Sequence, residues 1–181
     1  MLKIFIKLEV KTISKDNKLL SWYKILIIMK NIFFTLFLSV SIYAQESKDY
    51  FVLLTSDPMS NPSAAMMSIN TASEALNQGH NVVYFAAGDG VKILMKDVIR
   101  NLHTVTSHGG NTNNISKRAE KLLTEFSNNG GVIHVSEGSF LTFGVNQDNS
   151  NEILIGVNDI NWSYPKQLIQ VSYNADIVFS Y

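Results

Sequence analysis

Two short apolar runs separated by one helical period, between residues 50 and 87, constrain the fold of this chain more than any other feature. Tyr50-Phe51-Val52-Leu53-Leu54-Thr55 has the length and β-branched or aromatic content of a buried strand. Ser56 to Pro62 is turn-rich, and Ser63 is placed to cap a helix by accepting a bond from a free N–H. Ala65, Ile69, Ala72 and Leu76 then recur every three or four residues, which gives that helix one small apolar face. Gly79 ends it, and Val82 to Ala87 forms a second strand. A strand, one crossover helix and another strand make a parallel pair with a right-handed connection.

The rest of the chain repeats the alternation. Gly88-Asp89-Gly90 is a tight turn, Val91 to Leu102 reads as a helix, and Thr104 to Asn114 reads as a polar loop over the upper edge of the sheet. Ser116 is expected to cap a helix whose buried stripe is Ala119, Leu122, Leu123 and Phe126. A Gly130-Gly131 turn releases Val132-Ile133-His134-Val135, a third strand, which breaks into Ser136-Glu137-Gly138-Ser139. Ile153 to Val157 is expected to be a fourth strand or a short helix–strand junction, Ser163-Tyr164-Pro165 opens a last helix, and Asp176 to Tyr181 closes the chain as a strand. The expected fold class is α/β: three α/β/α layers around a mainly parallel sheet of about five strands.

In such a sheet, ligands gather where the carboxyl ends of strands give way to loops. The candidate ligand-binding residues are therefore Ser56 and Asp57 after strand one, Gly88, Asp89 and Gly90 after strand two, and Ser136, Glu137, Gly138 and Ser139 after strand three. Together they offer hydroxyls, carboxylates and backbone N–H groups, a set suited to a small polar ligand.

The segment Gly130 to Val145 also resembles the DsrE/DsrF-like family, small α/β proteins of sulfur relay. There a strand after a Gly-Gly turn leads to two cysteines three residues apart and then a glycine. Laid on that pattern, the cysteines fall on Ser136 and Ser139 and the glycine on Gly144. The resemblance extends over Asp49 to Tyr181, with Gly79 to Phe85 and Gly90-Val91 as short signatures. It implies the same three-layer architecture, and association into homo-oligomers or with a thiol-bearing partner. The chain departs from the family in holding no cysteine at all. Disulfides, thiolate metal sites and a persulfide carried on this chain are thereby excluded.

A net charge of zero hides an asymmetry. Residues 1–44 hold seven lysines against Glu9 and Asp16, leaving eight basic and thirteen acidic residues and a charge near −5 over residues 45–181. A mildly acidic domain without a basic stripe argues against nucleic acid. Met29-Lys30 followed by the apolar run 32–40 and then Ser41-Ile42-Tyr43-Ala44 has the layout of a secretory signal peptide, with cleavage expected after Ala44. Residues 1–28 would then be an upstream extension, with Met29 rather than Met1 as the start, and 45–181 the mature domain. The competing reading joins Ile25 to Ile28 with the later run as a membrane anchor. Both place the domain outside the cytoplasm, periplasmic or secreted.

Catalysis finds little support in the residues. A nucleophile elbow needs glycines two before and two after the serine, which Glu137 to Leu141 lacks, so capping the next helix is the expected role of Ser136 and Ser139. Of the four histidines His80, His103, His108 and His134, only His103 and His108 have a spacing that zinc could clasp, and only if a carboxylate joined them. His134 falls in the core by pattern, and no cofactor is implied. The leading expectation is a non-catalytic ligand-binding or assembly protein. The alternatives are a hydrolase or transferase using Asp89, Glu137 and loop histidines, and an accessory subunit forming one wall of a partner's sulfur-transfer site.

Overall fold

The structure is a computed structural model that describes residues 22, 24–33, 46–103 and 113–181. The chain divides into two units, Met1–Glu46 and Ser47–Tyr181. In the first, residues 24–33 form helix α1, on which Ile25 to Met29, Ile32 and Phe33 are exposed. The proposed cleavage site at Ala44 and most of the apolar run before it lie outside the described residues. Among the described residues no helix is long and apolar enough to cross a membrane.

The second unit runs β1 (Asp49–Leu54), α2 (Pro62–Asn77), β2 (Asn81–Ala86), a 3-10 segment (Gly88–Leu94), α3 (Lys96–Ile99), α4 (Asn113–Asn128), β3 (Val132–Ser136), α5 (Glu137–Thr142), α6 (Ser150–Ile153), β4 (Ile160–Ser163), α7 (Pro165–Tyr173) and β5 (Ile177–Ser180). The five strands form one sheet in the order β4-β3-β2-β1-β5, with every neighbouring pair parallel. Side-chain alternation splits the sheet into two faces. Val52, Leu54, Tyr84, Ala86, Ile133 and Val135 join Ala65, Ile69 and Ala72 of α2 and Ala119, Leu123 and Phe126 of α4 in the main core. The buried Tyr84 hydroxyl meets Ser68 Oγ at 3.0 Å, so this phenol is satisfied, and burial pushes its pKa up. Phe51, Phe85 and His134 occupy the opposite face. From β4 at one edge, α7 returns the chain to β5 at the other, and the right-handed rule puts it on that second face.

Four local expectations are corrected. Val91 to Leu102 is not one helix: Gly90 N–H is drawn to the carbonyls of Thr55 and Ala87, and the tighter 3-10 winding buries Val91, Ile93 and Leu94 before Met95 turns extended. Of the two readings of Ile153 to Val157 the strand is corrected, and the helix–strand junction stands, since α6 ends at Ile153 and Leu154 is extended. Leu154 makes an isolated antiparallel bridge with Met95, and the sheet position goes to Ile160–Ser163 instead. The cap of α2 is Asn61, whose side chain accepts from Ala64 N–H, because Pro62 at the first helical position sets the start earlier than Ser63. Finally, α4 starts at Asn113 and so Ser116 lies inside it, buried. The rest of the loop expected over residues 104–114 lies outside the described residues.

Candidate functional site

The carboxyl ends of β2 and β3 are tied together by side-chain hydroxyls. β3 ends at Ser136, which is the N-cap of α5 and accepts from Ser139 N–H at 3.3 Å. Ser139 does not cap: it sits in the first turn of α5, where its Oγ donates to Ser136 Oγ at 2.9 Å and accepts from Gly88 N–H at 2.9 Å. Ser136 and Ser139 thus clasp the turn after β2 to the helix after β3. Gly88 takes a positive φ of 55° to make that turn.

A charged node lies beside the clasp. Lys92 Nζ is 2.7 Å from Asp57 Oδ2, 3.2 Å from Asp89 Oδ1 and 5.1 Å from the centre of the Phe143 ring. The hydrogen bond to Lys92 holds the Asp57 carboxyl below its usual range, and the reciprocal bond raises Lys92. Asp57 is therefore committed to an ion pair, Asp89 shares it through Oδ1 alone, and Lys92 is no activated amine. Glu137 lies beside Tyr164, and their hydrogen bond raises the phenol pKa. Ser56 N–H donates to Tyr181 C=O, which ties the end of β1 to the last residue. Gly90 is pressed beneath β1, where an added Cβ would lie 2.2 Å from Leu54 O.

An open cavity of about 460 Å³ sits above this edge. Five of the candidate residues line it: Gly88, Asp89, Ser136, Gly138 and Ser139. Ser56, Asp57, Gly90 and Glu137 do not; they brace the surrounding loops. Thr142, Phe143, Tyr164 and Pro165 also line it and were missed by sequence reasoning. In sequence Tyr164 and Pro165 read only as a helix start, and the signal that could have found them is their position directly after a strand end. Phe143 lay in what read as a continuing apolar run, where nothing distinguished a rim residue from a core one.

The described histidines are dispersed. His80 Nδ1 accepts from Lys48 N–H and its ring stacks on Tyr50. His103 Nδ1 meets Asn101 O at 3.2 Å, while His108 lies outside the described residues. Among the described residues no three His, Cys, Asp or Glu side chains are placed to hold a metal. His134 is half-buried, stacked on Phe85, with Nδ1 2.8 Å from Ser163 Oγ; burial lowers its pKa. This serine and histidine pair was invisible in sequence. Ser163 is only 1% exposed and its hydroxyl donates to Asn161 C=O, so the pair is structural rather than nucleophilic.

No curated protein matches the chain closely in sequence. Among solved structures, the chain is similar to the YchN protein of E. coli, at 14% identity and a TM-score of 0.49 over 75% of this chain and 100% of that one. It is also similar to BT1422, a conserved protein of unknown function from Bacteroides thetaiotaomicron, at 16% identity and a TM-score of 0.48 over 74% of this chain and 95% of that one. The model of the DsrE/DsrF-like family matches residues 48–181, the whole of the sheet and its helices. The chain belongs to the DsrE/DsrF-like family.

Proposed function

We propose that this chain is an exported member of its family that carries no sulfur and works as a non-catalytic small-ligand-binding or assembly subunit. One observation carries the reading: in a chain without cysteine, Ser136 and Ser139, which the resemblance lays on the family's cysteines, serve as a clasp between Gly88 and α5. A hydroxyl can neither hold a persulfide nor exchange with one, because that chemistry runs through a thiolate attacking sulfur. The ion-paired state of Asp57 and Asp89, and the absence of any described histidine from the cavity lining, weigh against the alternative of a hydrolase. The partner fitting this role is a second copy of the chain or a thiol-bearing protein. Exposed Ile169, Tyr173, Val178 and Phe179 leave apolar surface for such an association.

The test is sulfur uptake. Incubated with a sulfane-sulfur donor, the wild-type protein is expected to keep its mass, while Ser136→Cys gains sulfur that a reductant removes. Sulfane sulfur bound to or passed on by the isolated wild-type protein would overturn the proposal.

A further inference from the structure

Hydrogen bonds at the floor of the cavity all run one way. Gly88 N–H donates to Ser139 Oγ, the Ser139 hydroxyl donates to Ser136 Oγ, and Ser136 Oγ accepts a second bond from Ser139 N–H. Both lone pairs of Ser136 are thus used, and its own O–H is left as a donor with no acceptor among the described residues, at a residue that lines the cavity. Two other side chains of the lining offer acceptors. Thr142 spends its hydroxyl proton on Ser139 C=O at 2.7 Å, which leaves its oxygen, and Asp89 meets Lys92 through Oδ1, which leaves Oδ2. Phe143, Tyr164 and Pro165 supply apolar walls, the first two being 38% and 52% exposed.

These features select among ligand classes. An anion would meet the Asp89 carboxylate, and Lys92 is already paired with two aspartates. An ammonium offers only donors, so the Ser136 O–H would stay unmatched. A neutral ring bearing several hydroxyls offers both donors and acceptors, and its C–H face can pack on aromatic side chains. The cavity volume of about 460 Å³ also falls in the range of roughly 300–1,000 Å³ usual for small-molecule sites. We infer that the cavity binds a neutral saccharide, with Ser136 donating to one ring hydroxyl, Asp89 accepting from another, and Tyr164 and Phe143 flanking the ring. The inference rests on the reading of the chain as a small-ligand-binding protein and names the ligand class of that site.

Ligand-observed NMR on protein purified from cells expressing the full chain tests it, with D-glucose, N-acetylglucosamine, methylammonium and thiosulfate as probes. Saturation transfer to the ring C–H protons of a sugar is expected. Affinity should fall about tenfold in Ser136→Ala and in Tyr164→Ala, each of which removes one ligand contact. Glu74→Gln, in a separate groove beside Tyr50 and Phe179, should leave binding unchanged. Tyr164 is exposed, so its variant keeps the test valid if Ser136→Ala fails to fold. Sugar binding indifferent to Tyr164→Ala would overturn the site. Preference for thiosulfate or methylammonium would overturn the ligand class while leaving a binding protein. Binding of no probe would sink both this inference and the small-ligand part of the proposed function.

Discussion

His134 shows how one residue's surroundings set a property of the whole fold. Its ring lies against Phe85 and its Nδ1 against Ser163, and burial holds its pKa below the ordinary 6.5. Between the folded value and 6.5 the unfolded chain binds a proton that the folded chain refuses. Its contribution to stability is therefore complete above 6.5 and is lost as pH falls below it. The melting temperature should drop between about pH 7 and pH 5, and His134→Gln should remove that part of the drop while lowering stability at neutral pH. Thermal melts across pH check this; an unchanged profile in the variant would assign the drop to other groups. Asp57 and Glu120 act in a different window. Lys92 and Arg100 hydrogen-bond them and hold their pKa values below 3.8 and 4.5, so their contributions are lost only as pH falls beneath those values. The environment of His134 could not be read from its neighbours in the chain, since both Ser163 and Phe85 reach it across strand pairings.

At the scale of elements, starts and stops were legible where they depend on residues adjacent in sequence. Gly79, at a φ of 86°, stops α2, and Pro165 opens α7. The cap of α2 is a finer case, because Asn61 and Ser63 are both good cap residues and Pro62 decides between them. Asn61→Ala should cost about 1 kcal/mol of stability, as loss of a cap bond does, whereas Ser63→Ala, inside the helix, should cost little or nothing. Urea unfolding of the two variants gives the comparison, and equal losses would argue against the Asn61 cap. Where an element depends on distant contacts, local reading failed. Val91 to Leu102 carries a helix-like apolar pattern, yet the pull of Gly90 toward the end of β1 winds it as 3-10 and frees Met95 to pair with Leu154. That pairing takes Leu154 out of contention for the sheet. β4, only four residues of mixed polarity after Asn158 and Asp159, becomes the edge strand instead.

For the molecule as a whole, the proposed export gives a direct expectation. Protein recovered from outside the cytoplasm should begin at Gln45, and N-terminal sequencing with light scattering on that material reads both the cut and the self-association. A full-length chain confined to the membrane would favour the anchor, and a monomer without a captured thiol protein would count against the assembly role. Sequence alone determined that this is a cysteine-free α/β domain with a crossover-helix rhythm, because apolar periodicity and the absence of a thiol are properties of the chain's composition and order. Only the tertiary structure decided that Ser139 spans from Gly88 to Ser136, that Lys92 draws Asp57 and Asp89 together, and that Tyr164 and Phe143 wall the cavity. The reason is geometric. Those groups are far apart along the backbone and meet only when parallel strands bring their carboxyl ends to one edge, where a hydroxyl or a charge acquires its partner.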